Sequence, residues 1–209
     1  MTQTKNRHRD GIRSRAGGRA RATTHGRLSR IGLALFLERG FDETTVDDIV
    51  RAAGIGRRTF FRYFPSKNDL PWGDFDSLLR SMREYLAELD EDVHLGEALR
   101  RAAVEFNRFP LDELAHHRDR MWLLFNVPSL MAHSTLRYAS WRVVIAEFVA
   151  TRRHVAPKDA FPQAIAQACL GLCVSAYEQW LADDSSDLLE LIDRAFRAAE
   201  TVFGGQEGV

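Results

Sequence analysis

The chain has 209 residues, 45 % of them hydrophobic and 28 % charged, with 29 Lys and Arg against 29 Asp and Glu. That composition excludes a fibrous, low-complexity or wholly disordered chain, and the length suffices for a substantial core. The zero net charge hides an asymmetry: residues 1–68 hold 15 Lys and Arg against 6 Asp and Glu, a net of +9, so the rest carries −9, the pattern of a nucleic-acid-binding domain on a larger body.

Residues 1–22 carry Lys5, Arg7, Arg9, Arg13, Arg15, Arg19 and Arg21 among glycines and small residues. Such a segment cannot bury a core and is expected to be disordered. It is either a solvated tail or an arm whose arginines reach a minor groove or phosphates. No apolar run follows, so a secretory signal is not expected. Next, Leu28, Ile31, Leu35 and Phe36 repeat at helical spacing after the candidate cap Thr24 and stop at Gly40-Phe41. Thr44 or Thr45, with Asp47 or Asp48 three residues on, caps a short helix whose apolar face is Val46, Ile49, Val50 and Ala53. Gly54 ends it, and a second short helix begins near Gly56 and holds Arg57, Arg58, Thr59, Phe60, Phe61, Arg62, Tyr63 and Phe64. Two short helices about a glycine turn make a helix-turn-helix, with Phe41 sealing one side of its core and Phe60 and Phe64 the other. This DNA-binding domain is expected over residues 23–68.

A helical domain is expected over residues 69–204, with residues 205–209 disordered. Ser66 and Asp69 form a cap-like pair predicted to open a connecting helix of about five turns, with Phe75, Leu78, Leu79, Met82, Leu86 and Leu89 on its apolar stripe. Leu95 to Phe106 mark a helix before Pro110, Leu114 to Phe125 another before Pro128, and Ser129 to Arg153 a long one. Pro157 and Pro162 flank the start of a helix that runs to Leu181. Residues 184–187 cap a last helix, with Leu188, Leu191, Ile192, Ala195 and Val202 inward. The fold class is therefore all-α, about nine helices, and no segment is expected to reach transmembrane length. Cys169 and Cys173, one turn apart on one helix, suit buried packing, with a redox sensor as the alternative.

The segment from Ile31 to Leu70 resembles the DNA-binding domain of TetR-family transcriptional regulators. The matching residues are Ala34-Leu35-Phe36, Gly40-Phe41, Thr44-Thr45-Val46, Ile49, Ala52-Ala53-Gly54-Ile55, Thr59-Phe60, Tyr63-Phe64 and Ser66-Lys67. Four further segments are similar to the mycofactocin-system subgroup: Trp72-Gly73-Asp74-Phe75-Asp76, residues 106–110, residues 127–134, and Tyr177-Glu178-Gln179-Trp180-Leu181. The resemblance implies a long-chain acyl-CoA as effector, phosphate contacts by Tyr63 and Lys67, and a four-helix dimer interface from the last two long helices.

For DNA, Thr44 and Thr45 at a helix amino terminus suit phosphate, and Arg57, Arg58, Thr59 and Arg62 are candidates for base edges. Two positions depart from the family pattern: Gly56 replaces a common capping serine, and Phe61 a common phosphate-binding tyrosine. Phe61 is expected either to touch a thymine methyl or sugar, or to join the core. The helix from Gln163 to Leu181 carries the small residues Ala164, Ala166, Ala168, Gly171, Cys173, Ser175 and Ala176, a face for dimerisation in which Ala164, Ala168, Gly171 and Ser175, joined by Ala195, are the interface candidates; packing inside a monomer is the alternative. Phe106, Trp122, Phe125, His133, Arg137, Tyr138 and Trp141 are the ligand candidates, and each aromatic can equally be core. His117 or Arg118 can meet a polar head, or the His116-His117-Arg118 cluster is a solvated face.

No nucleophile elbow, zinc-spaced set or phosphate loop is present, so an enzyme, a metal site and a cofactor are not expected. The reading is a cytoplasmic, homodimeric regulator binding a palindromic double-stranded DNA operator, released by a small apolar or amphipathic effector and not bound to a membrane. The alternative is a helical lipid- or partner-binding module without operator binding.

Overall fold

The computed structural model describes residues 10–203, with side chains over residues 25–202. The start of the expected tail, residues 1–9, and the expected disordered terminus, residues 205–209, lie outside the described residues. Nine α-helices and two short 3-10 segments form among the described residues, in an amino-terminal unit that ends at Asp74 and a helical unit that begins at Phe75.

The first unit contains α1 (Asp10–Arg39), α2 (Val46–Ala53), α3 (Arg57–Tyr63) and a 3-10 segment (Lys67–Trp72). Helix α1 takes in residues 10–22, which differs from the disordered tail expected there. Arginine and alanine are strong helix formers, and they extend a helix that is already nucleated downstream. Leu28, Leu35, Phe36, Phe41, Ile49, Val50, Ala53, Phe60 and Phe64 are buried together as expected. Ile31 is only half-buried, and Leu33 is buried as well, because α1 packs against both α2 and the 3-10 segment.

Thr45, not Thr44, caps α2: its hydroxyl accepts the Asp48 N–H at 3.2 Å while the Asp48 carboxylate accepts the Thr45 N–H at 3.0 Å. Gly54 ends α2 in the left-handed region at φ 67°, which lets the Ile55 N–H reach back to the Val50 carbonyl at 3.0 Å. The Ser66–Asp69 box forms, yet it opens the 3-10 segment rather than the long helix expected. Pro71 brings no N–H and Gly73 turns to φ 58°, so α4 starts afresh at Phe75 and runs about four turns to Glu88. Leu70 is fully buried on α1, where Ser29 donates to its carbonyl at 2.9 Å and a Cβ on Gly32 would approach its side chain to 2.7 Å. The 3-10 segment therefore belongs to the first unit, which moves the boundary from 68/69 to Asp74/Phe75.

The second unit comprises α4 (Phe75–Glu88), α5 (Leu95–Phe106), α6 (Leu114–Asn126), α7 (Pro128–Arg153), α8 (Ala160–Ala182) and α9 (Leu188–Phe203). Its centre is the packing of α7 on α8 and α8 on α9, with α5 against α9 and α6 against α7. Leu123, Leu130, Val144, Ile145, Ala176 and Ile192 are among the residues that fill it. Val202, expected inward, is 71 % exposed, six residues beyond the last buried position of α9, Phe196, and near the helix end. Two guanidinium groups close loops by donating to carbonyls at helix carboxyl ends, where the helix dipole favours a cation. Arg152 bonds the carbonyls of Asp90 (2.8 Å), Glu91 (2.7 Å) and Val93 (3.1 Å), and Arg118 those of Trp180 and Asp183.

Helix α8 corrects one expectation: its 23 residues, with a mean hydropathy of 1.2 over an 18-residue stretch, are long and apolar enough to cross a membrane by length and composition. Part of that apolar surface is outward, as described below. Cys169 and Cys173 are free and buried on it, and burial pushes both thiols up, Cys169 to about 12, which makes them poor nucleophiles.

An ion cluster ties α5 to α9: Arg100 bonds Glu97 at 2.7 Å and also Asp193, and Arg101 bonds Glu97 at 2.6 Å. These guanidinium donors hold the Glu97 carboxyl down to about 2. A carboxyl depressed in the folded state contributes stability above its ordinary value of 4.5, and that contribution is lost as pH falls from there through 2. The melting temperature of the native protein should therefore fall more steeply across this window than that of Glu97→Gln, read by thermal melts at several pH values; parallel curves would refute it.

Candidate nucleic-acid interface

Helix α3 is two turns long, and Phe60 and Phe64 hold it to the core with exposures of 0 % and 1 %. Burying residues 60 and 64 turns Arg57, Arg58, Phe61 and Arg62 outward, all four exposed, with Thr59 and Tyr63 half-exposed at the margins. Phe61 is 46 % exposed, which rules out the core alternative for it. Its ring is braced edge-on by Phe60 at 5.3 Å and capped by the Arg57 guanidinium at 5.9 Å. Arg57 also holds Asp47 through both carboxylate oxygens, at 2.8 and 2.9 Å. Arg62 lies over the Tyr63 ring at 5.0 Å and donates to its hydroxyl at 3.3 Å. Among the described residues Arg58 makes no ion pair, so it displays its charge fully. Gly56 caps α3 with backbone alone, as expected from the missing serine.

One of the expected DNA contacts is corrected, and a second, Lys67, is engaged within the unit. Thr44 is fully buried and donates its hydroxyl to the carbonyls of Gly40 (2.7 Å) and Leu35 (3.3 Å), so it braces the α1–α2 turn and cannot meet a phosphate. Lys67 directs its ammonium at the carbonyls of Phe41 (2.8 Å), Thr44 (3.0 Å) and Asp42 (3.4 Å), above the Phe41 ring at 4.3 Å. Its three N–H groups are thereby spent inside the unit. Thr45 remains exposed at the start of α2. Asp47, the partner of Arg57, was hidden in the sequence because only the folded turn brings residues ten apart together.

In the helical unit the seven ligand candidates do not form one set. Phe106 stacks edge-on with Phe75 at 6.1 Å and with Trp141 at 6.3 Å, and Trp141 is core. Arg137 sits 5.8 Å over Phe75 and 3.6 Å from Asp76. Phe106 also lines a cleft of about 290 Å³ between α4 and α5, with Leu78, Met82, Tyr85 and Glu105. Trp122 is 50 % exposed and points away from the core, whereas Phe125 lies 6.0 Å from Tyr177. Tyr138 is half-buried, its hydroxyl pushed up by burial, and His133 is half-buried.

A buried polar network escaped the sequence reading. Tyr177 donates to Asn107 at 2.6 Å, and His117 bonds the Tyr177 hydroxyl at 2.8 Å, so His117 is not on a solvated face. The signals were an asparagine just past a helix end and a tyrosine within an apolar helix. On α8, Ala164, Ala168, Gly171 and Ser175 are all exposed in the single chain, at spacings of four, three and four, and a Cβ on Gly171 would meet nothing within 4 Å. Ala195 is half-buried on α9.

A basic unit built to present one face of a two-turn helix, attached to a helical body, defines a helix-turn-helix regulator. Two family models match the chain: bacterial regulatory proteins of the tetR family over residues 31–70, and the MftR C-terminal domain over residues 93–204. A protein of Mycobacterium tuberculosis, provisionally described as the mycofactocin biosynthesis transcriptional regulator MftR, is 46 % identical over 86 % of this chain and 90 % of its own. The HTH-type transcriptional regulator TcmR of Streptomyces glaucescens is 28 % identical over 84 % of this chain and 80 % of its own. Among solved structures, Thermus thermophilus FadR, a TetR-family repressor in complex with lauroyl-CoA, shares the fold at a TM-score of 0.56 and 24 % identity, covering 88 % of this chain and 96 % of that one. The chain belongs to the TetR family of bacterial regulatory proteins and carries an MftR-type carboxyl-terminal domain. It is a DNA-binding transcriptional regulator, not an enzyme.

A substitution at Thr44 separates bracing of the α1–α2 turn from DNA contact. Thr44→Val removes the single hydroxyl hydrogen that the Gly40 and Leu35 carbonyls share and should lower stability by about 1–2 kcal/mol. The folded variant should bind DNA as the native protein does, measured by urea unfolding beside a DNA titration; a selective loss of DNA affinity at full stability would restore a direct contact.

Proposed function

We propose that the chain is a homodimeric repressor that reads a palindromic operator and lets go when an amphipathic effector enters its helical unit. The observation that carries this reading is the outward set Arg57, Arg58, Phe61 and Arg62 on a helix anchored by two buried phenylalanines. Arg58 and Arg62 face guanine edges, Arg57 does so once it leaves Asp47, and Thr59 and Phe61 meet thymine methyl groups. Tyr63 and Thr45 hold the flanking phosphates.

So short a reading helix covers few base pairs, and a two-fold dimer doubles the site. The exposed stripe of Ala164, Ala168, Gly171 and Ser175 supports pairing along α8, because side chains this small let two helices approach closely, with Ala195 of α9 beside them. Such pairing also gives the apolar length of α8 a protein partner in place of a membrane. A regulator of DNA acts where the chromosome is, which places it in the cytoplasm.

The effector is a long-chain acyl-CoA in this reading. The MftR-type domain and the lauroyl-CoA held by a repressor of similar fold support that class. Phe125 and Tyr138 line its site, and Phe106 a cleft open to the acyl chain. Effector binding must favour a separation of the two reading helices that misfits successive major grooves.

A gel shift on the DNA upstream of the protein's own gene, titrated with acyl-CoAs and with free CoA, tests the whole reading. Retardation should weaken steeply with salt and fall about tenfold or more in Arg57→Ala and in Tyr63→Ala. Acyl-CoA should release the DNA and free CoA should not. No shift at low salt overturns the repressor; a shift indifferent to acyl chains overturns the effector. Ala168→Glu should elute as a monomer in gel filtration, and an unchanged elution volume would refute pairing through α8.

A further inference from the structure

Two buried polar atoms on α6, His117 Nδ1 and Arg120 Nε, have no hydrogen-bond partner among the described residues. His117 is 4 % exposed, stacked on Phe109 at 4.0 Å between ring centroids and flanked by Trp180 at 5.7 Å. The hydrogens around it can be assigned. Asn107 donates its amide to the Ala103 carbonyl at 2.8 Å, which leaves its oxygen to accept the Tyr177 hydroxyl at 2.6 Å. The Tyr177 oxygen then has no hydrogen left to give, so it accepts from His117 Nε2–H at 2.8 Å. Burial, and after it the nearby Arg120, lower the imidazole to about 3, so the ring is neutral. Its Nδ1 is therefore a bare lone pair, buried without a donor.

One turn along α6, Arg120 is half-buried, and its Nε is buried with no acceptor among the described residues. Glu113 attracts it through space without an ion pair, and burial opposes its charge. Residues three apart on a helix share a face. A buried acceptor and a buried cationic donor left open side by side cost stability and bring no packing benefit. Phe109, Trp180 and Tyr177 supply apolar walls, with Phe125 beside Tyr177. This is the composition of a ligand site: apolar lining and a few polar groups that fix orientation.

We propose that His117 and Arg120 form the polar end of the effector site and take a primary carboxamide terminus on an apolar body. The carbonyl oxygen accepts from Arg120, and the neighbouring N–H donates to His117 Nδ1. The proposal rests on reading the helical unit as the effector domain. It does not rest on the effector being a CoA thioester, whose carbonyl has no neighbouring donor.

Binding of dodecanamide and methyl laurate to the full-length protein without DNA, read by calorimetry and tryptophan fluorescence, tests it. Dodecanamide should bind about tenfold or more tightly than methyl laurate, which offers the acceptor and lacks the donor. Arg120→Met and His117→Phe should each bring the ester and amide affinities to within about threefold. Arg120→Met removes an unpaired charge and should melt no lower than the native protein, so its loss of binding cannot be unfolding. Equal binding of ester and amide, an undiminished preference in Arg120→Met, or no binding of dodecanamide each overturns the proposal. Operator release by lauroyl-CoA tests the acyl-CoA reading separately, because the thioester lacks the donor that His117 Nδ1 takes.

Discussion

A helix of seven residues does not hold itself together in water, because the cost of its first turn is never recovered by so few hydrogen bonds. Helix α3 exists because Phe60 and Phe64 are buried against the core that Phe36, Phe41, Ile49 and Ala53 complete. That burial also fixes the rotation of the helix about its axis. Once the two phenylalanines point inward, the positions of Arg57, Arg58, Phe61 and Arg62 follow from helical geometry alone. The left-handed turn at Gly54 sets where the helix begins, and the Thr44 hydroxyl steadies the turn before α2. The reading surface is thus a by-product of core packing, and its precision is that of the core.

Two groups of cations differ by what they face. Lys67, Arg118 and Arg152 are spent on carbonyl oxygens at turns and helix ends, where they close loops. Arg58 and Arg62 remain turned toward solvent on α3. Sequence position does not separate these kinds, since Lys67 lies five residues from Arg62 in a run of matched family positions. What separates them is whether unpaired carbonyl groups lie within reach of the folded side chain.

Much of this was legible from residue patterns. The three-helix core, the glycine turn and the order of nine helices all follow from apolar spacing and caps, because each is a local signal. Departures arose where a nonlocal contact decides. Thr44 and Thr45 look alike as caps, and only the packing of α1 buries one of them. The Ser66–Asp69 box promised a long helix, and Pro71 with Gly73 cut it to a 3-10 segment that Leu70 ties to α1. The aromatic ligand candidates share helical spacing but not direction: Trp141 faces the core and Trp122 faces solvent. The Asn107–Tyr177–His117 network joins three helices, and no periodicity in one helix could announce it.

Asp47 gives Arg57 both oxygens of a carboxylate, which is already what a backbone phosphate would offer. In the proposed complex, an arbitrary stretch of DNA therefore gains little by taking the arginine over, and it faces a freed carboxylate beside its own charges. A guanine edge in the right place offers an equivalent two-pronged partner together with the rest of the site. For the proposed dimer the consequence would be kinetic: stays on unrelated sequence would be cut short, so it would sample many positions in the time that a wholly basic surface would spend on a few. There an acidic side chain beside the DNA would shape the search along the chromosome more than the strength of the final grip.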